Sequence, residues 1–120
     1  MDEFRFIKWK VYKDSKDLFK NILRIYRKIP SDIKYSLGEQ IIRSSLSIVL
    51  NISEGAGKQS DKDMNRFFNI AIGSVYETVA NLDILCENNF IDAKTFQLSI
   101  EKLDNIKKQL GGFKKKLKNC

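Results

Sequence analysis

Apolar residues recur at helical spacing through most of the chain. In the first segment they lie three and four residues apart, together with one serine, at Val11, Ser15, Leu18, Ile22, Ile25 and Ile29. The same spacing returns later at Phe68, Ala71, Val75, Val79, Leu82 and Leu85, and again at Ser99, Leu103, Ile106, Leu110, Phe113 and Leu117. No two-residue alternation is sustained, so the pattern predicts helices and no sheet.

The helix-breaking residues divide this pattern into four parts. Pro30, the pair Gly55 and Gly57, and the run ENNFID before the last segment mark the boundaries. We therefore predict helices at approximately 5–29, 36–56, 60–88 and 92–118, with Ser60 and Asp92 as N-caps of the last two. Short connections make neighbouring helices antiparallel, so we expect one domain, residues 1–120, folded as an all-α up-down-up-down four-helix bundle.

The second predicted helix, within IIRSSLSIVLNISEGAGKQS, carries polar residues along one side. If the third helix folds back near Lys58, Glu54 lies opposite Arg66, Arg43 opposite Glu77, and the second-helix serines opposite Gly73 and Ser74. Buried polar groups without partners are costly, which favours pairing between the two helices. We predict a structural polar network of Gln40, Arg43, Ser47, Asn51, Glu54, Arg66, Ser74 and Glu77. A subunit or ligand contact is the alternative.

The charge of the chain is positive and uneven. The formal net charge is +7, and residues 1–30 and 91–120 each carry +5, whereas residues 31–60 sum to zero and 61–90 to −3. A basic surface favours polyanions such as RNA or DNA, and a solvated helix face is the alternative. The candidate phosphate contacts are Lys10, Lys13, Lys16, Lys20, Arg24, Arg27, Lys107, Lys114, Lys115 and Lys118.

Enzymatic chemistry finds little support in the composition. The chain has no histidine and only two cysteines, Cys86 and Cys120, so histidine-based triads and histidine-built metal sites are excluded. The GAGKQS stretch fails as a phosphate-binding loop, because Gln59 replaces the required Ser or Thr. We predict no catalytic residue, no metal and no cofactor. The charged N-terminus and the lack of a long apolar run predict a cytoplasmic protein without a membrane partner.

Three aromatic residues, Tyr12, Phe19 and Tyr26, recur every seven residues beside the apolar stripe of the first helix. They widen the apolar arc beyond what a bundle helix requires. Additional core packing and a subunit interface are the two interpretations.

Residues 37–82 resemble the four-helix bundle proteins encoded within 23S rRNA intervening sequences. The family pattern combines Gln-x-x-Arg-x-x-x-Ser-Ile-x-x-Asn-Ile-x-Glu-Gly with a later Arg-Phe and an Ala-x-Gly-Ser-x-x-Glu block. The matching residues are Gln40, Arg43, Ser47, Ile48, Asn51, Ile52, Glu54, Gly55, Arg66, Phe67, Ala71, Gly73, Ser74 and Glu77. The sequence departs from the pattern at Ser45, Leu50 and Ser53.

The resemblance implies an antiparallel four-helix bundle that assembles as a homopentamer. It also implies kinship with the accessory protein of diversity-generating retroelements, a basic pentamer that binds nucleic acid and a reverse transcriptase. The combined hypothesis is a non-enzymatic, self-associating protein that binds RNA or DNA through basic faces of the first and last helices. The alternative is a protein–protein adaptor that does not bind nucleic acid directly.

Overall fold

The computed structural model describes residues 2–117, and four long helices account for most of them. These are α1 (Lys10–Lys28), α2 (Glu39–Ala56), α3 (Asp61–Glu87) and α4 (Ala93–Lys116). A 3-10 segment, Asp2–Lys8, precedes α1, and a helical turn (Ser31–Ile33) and a π-helical turn (Lys34–Gly38) lead into α2. Residues 2–117 contain no strand, which confirms the all-α prediction.

The first helix begins later than predicted because the backbone is extended at Trp9. This conformation separates the 3-10 segment from α1, and the Trp9 ring packs against Phe113, with 5.0 Å between ring centroids. At the other end, Ile29 is extended because a following proline disfavours helical backbone, and α1 stops before Pro30. The predicted end of the last helix, Lys118, lies outside the described residues.

The predicted apolar stripes form the core. All six predicted stripe residues of α1 are buried, as are Ser99, Leu103, Ile106 and Leu110 of α4. From α3, Phe68, Ala71, Val75, Leu82 and Leu85 join them, and α2 contributes Ile41, Ile48 and Ile52. Complete burial of one such aliphatic or aromatic side chain stabilises the fold by about 1.5–3 kcal/mol.

Contacts between the helices show their relative directions. Ser47 of α2 meets Ser74 of α3, and Ser44 meets Thr78, so residue numbers rise along one helix as they fall along the other. The α1–α4 pair shows the same order, since Asn21 bonds Ser99 and Asp17 bonds Lys102. Both pairs are therefore antiparallel.

Side chains cap the N-termini of α3 and α4. The Ser60 hydroxyl accepts a hydrogen bond from the Asp63 backbone N–H at 3.1 Å, and Asp92 accepts one from the Thr95 N–H at 2.7 Å. Both predicted N-caps are confirmed. Gly57 is the C-cap of α2, whereas Gly55 lies inside the last turn of the helix and is buried against α3.

Candidate nucleic-acid and assembly surfaces

Ser44 of α2 is the centre of the hydrogen bonds that join α2 to α3. Its hydroxyl accepts from the Thr78 hydroxyl at 2.9 Å and from the Asn81 amide at 3.2 Å. It also donates to the Ile41 carbonyl at 3.4 Å. Ser44 and Thr78 are buried, so the two helices are joined by small hydroxyl groups in a region shielded from water. The predicted network did not include Ser44, Thr78 and Asn81, although Ser44 is one of the second-helix serines expected opposite Gly73 and Ser74. The four-residue spacing of Ser74 and Thr78 on α3 is the signal that could have indicated Thr78.

A second group of hydrogen bonds lies one turn further along α2. The Ser47 and Ser74 hydroxyls are 2.8 Å apart, and the Asn51 amide donates to the Ser47 carbonyl at 2.8 Å and to its hydroxyl at 3.0 Å. These three side chains are the members of the predicted polar network that the structure brings together.

The predicted ion pairs are not formed within the chain. Glu54 and Arg66 form no ion pair with each other, and neither do Arg43 and Glu77; all four side chains are exposed, as is Gln40. The backbones of α2 and α3 meet through the serine contacts and the Gly55–Phe68 contact. The four charged residues do not lie at this contact. The longer charged side chains consequently point outward. Arg66 instead places its guanidinium 4.6 Å from the centroid of the Phe67 ring.

The outer surface of α2 and α3 therefore combines opposite charges with exposed apolar side chains. Leu50 is 52% exposed and Ile70 is 43% exposed. Gly73 also faces outward, and a Cβ built there would have no neighbour within 4 Å. The prediction that Gly73 lies at the α2–α3 contact is therefore wrong. We call this region the α2–α3 outer face, and its members are Arg43, Leu50, Glu54, Arg66, Ile70, Gly73 and Glu77.

The six predicted cations of α1 are all exposed and lie opposite its buried stripe. We call them the α1 cationic row: Lys10, Lys13, Lys16, Lys20, Arg24 and Arg27. Lys10 pairs with Asp14 at 2.6 Å, and the Lys16 ammonium lies 4.8 Å from the Tyr12 ring centroid. Among the described residues, the other four have no acidic partner.

The predicted cations of α4 lie on a different side of the molecule from the α1–α4 contact. Lys107, Lys114 and Lys115 border a groove beside α3, and Lys118 is outside the described residues. The Lys107 and Lys108 ammonium groups share the Asp104 carboxylate at 3.9 and 2.9 Å. The structure thus divides the candidate phosphate contacts into two groups.

Asp14 joins α1 to α4. Its carboxylate accepts hydrogen bonds from Lys10 at 2.6 Å, Gln109 at 2.7 Å and Asn105 at 3.0 Å. Partial burial opposes ionisation, but the hydrogen bonds from Lys10, Gln109 and Asn105 and the Lys10 charge together lower the pKa of Asp14 below its ordinary value. Asp17, which interrupts the α1 cationic row, is paired with Lys102 of α4 at 2.6 Å.

The three aromatic residues of α1 are half-buried. Tyr12 packs edge-on against Phe6 with 4.9 Å between ring centroids, and the Tyr26 ring contacts Gly38 so closely that a Cβ there would lie 2.9 Å from it. Tyr12 and Tyr26 thus contribute to intramolecular packing, although part of each ring meets solvent.

Residues 2–117 contain no group of three or more acidic, histidine or cysteine side chains placed to hold a metal ion. In the same range, no helix combines the length and apolar character needed to cross a lipid bilayer.

These features define an all-helical protein whose exposed residues carry charge and apolar surface. The sequence profile described as "23S rRNA-intervening sequence protein" matches residues 8–112 of the 120-residue chain. The chain therefore belongs to the 23S rRNA-intervening sequence protein family, which confirms the resemblance found in its sequence.

A solved structure shows the same fold. It is the crystal structure of a protein of unknown function from the S23 ribosomal protein family of Bacteroides thetaiotaomicron, with a TM-score of 0.82 and 26% sequence identity. The similarity covers 88% of this chain and 98% of that one. No curated protein matches the chain.

Proposed function

We propose that this protein is a non-enzymatic, self-associating four-helix bundle that binds RNA or DNA through cations on α1 and α4. The observation that carries the proposal is the α1 cationic row, in which Lys13, Lys20, Arg24 and Arg27 project into solvent without an internal acidic partner. From Lys10 to Arg27 the row extends roughly 25 Å, a length that follows several phosphates of one strand. The protein would act in the cytoplasm.

The pattern of helix contacts supports the bundle arrangement. α1 packs against α2 and α4, and α3 packs against α2 and α4, so the four helices contact one another in a closed ring. Two contacts in this ring are antiparallel, as an up-down-up-down topology requires.

Self-association would use the α2–α3 outer face, with a second copy of the chain as the occupant. This face presents acidic and basic side chains together with Leu50 and Ile70, so neighbouring copies could pair opposite charges around apolar contacts. Gly73 leaves open space through which another backbone could approach closely. The homopentamer is the assembly that the family resemblance implies.

Fluorescence anisotropy with a labelled RNA hairpin across a salt series tests nucleic-acid binding. The test variant K13Q/K20Q/R24Q/R27Q removes the four unpaired cations of the α1 cationic row. Each phosphate contact contributes about 0.7–0.9 to the slope of log K against log salt. We therefore expect a weaker complex and a slope smaller in magnitude by about 3.

The matched control, R5Q/K58Q/K62Q/K94Q, removes four exposed cations outside α1 and leaves the net charge the same as in the test variant. Equal losses in both variants would show that only net charge matters. Absence of binding by the unaltered protein at low salt would refute the proposal. A protein partner that is then retained after nuclease treatment would identify an adaptor instead.

A further inference from the structure

A basic groove lies between α3 and α4. Its volume is about 660 Å³. One wall is the last part of α4, with Lys107, Lys108, Gly111, Gly112, Lys114 and Lys115, and Ile72 of α3 forms the other. No described carboxylate lines the groove, and Asp104, which pairs with two of the lysines, lies just outside it.

An exposed aromatic ring borders this groove. Tyr76 follows Ile72 by one turn of α3 and is 61% exposed. The Lys107 ammonium lies 5.8 Å from the centroid of its ring, which places a cation and a large flat apolar surface side by side. Neither the core nor the proposed cationic contacts of α1 use this side chain.

The two glycines of α4 make no close packing contact with the described part of the chain. A Cβ at Gly111 or Gly112 would meet no atom within 4 Å, although glycine inside a helix is less favourable than alanine. Their effect is to leave the helix backbone accessible between the lysines. A flat or bulky ligand could therefore approach α4 more closely here than at a position with side chains.

We propose that this Tyr76 groove binds single-stranded nucleic acid, with one base stacked on Tyr76 and the adjoining phosphates contacting Lys107, Lys108 and Lys115. The inference rests on the proposed nucleic-acid function and adds the strand type and the recognition residue. Stacking requires a free base face, which a single strand offers and a regular duplex does not. The lysines contact phosphates, so the groove accepts RNA and DNA strands of many sequences.

Anisotropy titrations with a labelled 12-nucleotide RNA, the DNA strand of the same sequence and the corresponding RNA duplex test this proposal. Y76A should weaken single-strand binding about tenfold by removing the stacked ring, and should leave duplex binding unchanged. Y76F keeps the ring and should bind like the unaltered protein. Y35A is the matched control, since Tyr35 is 83% exposed and lies far from the groove in sequence. It should have no effect.

Two further measurements separate stacking from general charge. K107Q/K108Q should reduce the salt slope for the single strand by about 1.4, since each lost phosphate contact contributes about 0.7. The control K62Q/K94Q removes the same charge and should change the slope less. In Y76W, binding of the single strand should quench the fluorescence of the introduced indole. The unaltered protein, whose only tryptophan is Trp9, is the reference for this quenching.

The results that would overturn the Tyr76 groove differ from those that would overturn the proposed function. If Y76A binds the single strand like the unaltered protein while the quadruple α1 variant loses binding, the groove is refuted and the proposed function stands. Equal loss of single strand and duplex in Y76A, or preferential binding of polyglutamate, also refutes the groove. If the unaltered protein binds neither RNA nor DNA at low salt, both proposals fail. Circular dichroism melts establish that each variant is folded.

Discussion

At the scale of single residues, Gly55 shows how closely α2 and α3 approach. A Cβ built at this position would lie 2.9 Å from Cε1 of Phe68 and 3.2 Å from Cβ of Phe67. Phe68 is fully buried and packs edge-on against Phe113, with 5.5 Å between centroids, so its ring has little freedom to move. The absence of a side chain at Gly55 is therefore a packing requirement.

We predict that Gly55→Ala lowers the free energy of unfolding by about 1–3 kcal/mol, the usual cost of overpacking a core. Gly112→Ala is the control: its Cβ would meet open space, and replacing a helical glycine there should stabilise by about 0.5–1 kcal/mol. Urea unfolding of both variants measures the difference. Equal effects would show that the Phe68 contact does not restrict residue 55.

Asp14 should make stability depend on pH. Because folding lowers the pKa of Asp14, its contribution is present above the unfolded-state value near pH 4 and is lost as the pH falls through the lower folded-state value. We predict that Asp14→Asn destabilises the protein at about pH 7, and that the difference from the unaltered protein shrinks by about pH 2.5. Urea unfolding at the two pH values measures it. Asp17→Asn, which removes a single exposed partner of Lys102, should have a smaller effect.

At the scale of an element, α2 differs from the other helices in the way it is attached. It carries the Ser44 and Ser47 hydrogen bonds toward α3 on one side, and exposes Arg43 and Glu54 on another. Hydroxyl groups are short, so they allow two backbones to approach while the hydroxyls of Ser44, Ser47, Ser74 and Thr78 keep hydrogen-bond partners. This explains why α2 carries more than an apolar stripe.

Ser44→Ala should lower the free energy of unfolding by about 1–2 kcal/mol, because Asn81 loses a hydrogen-bond acceptor and the Thr78 hydroxyl, which also lies 2.8 Å from the Ser74 carbonyl, loses its partner on α2. Ser53→Ala is the control within the same helix, since the Ser53 hydroxyl donates only to the Leu50 carbonyl at an exposed position. Thermal and urea melts compare the two. If Ser44→Ala and Ser53→Ala were equally stable, the hydrogen bonds of Ser44 to α3 would make no net contribution to the free energy of unfolding.

At the scale of the whole molecule, the distribution of charge distinguishes two surfaces. The α1 cationic row faces solvent on one helix, whereas the α2–α3 outer face has both signs of charge. A surface with one sign attracts a polyanion, and a surface with both signs suits a copy of itself. The proposed self-association through the α2–α3 outer face would therefore leave the α1 cationic row free for a polyanion.

Introducing or reversing a charge on the α2–α3 outer face should change the oligomeric state without unfolding the chain. We expect Leu50→Glu or Glu54→Arg to shift the protein toward the monomer in light scattering coupled to size exclusion, because both changes place unfavourable groups in the proposed contact. Ser36→Glu, at an exposed position outside that face, is the control. A monomeric unaltered protein, or oligomers that persist in both variants, would contradict this assignment.

The sequence by itself determined the helices, their N-caps and the buried stripes, because these depend on the spacing of residues along one chain segment. It also identified the family, since residues 37–82 carry the pattern. Periodicity gives the side of a helix that is apolar, but leaves open the rotation and separation of two helices. Those were decided by packing, in which Gly55 fits against Phe68 and Ser44 meets Thr78. That packing turned Glu54, Arg66 and Glu77 outward, and it placed Tyr76 beside the lysines of α4.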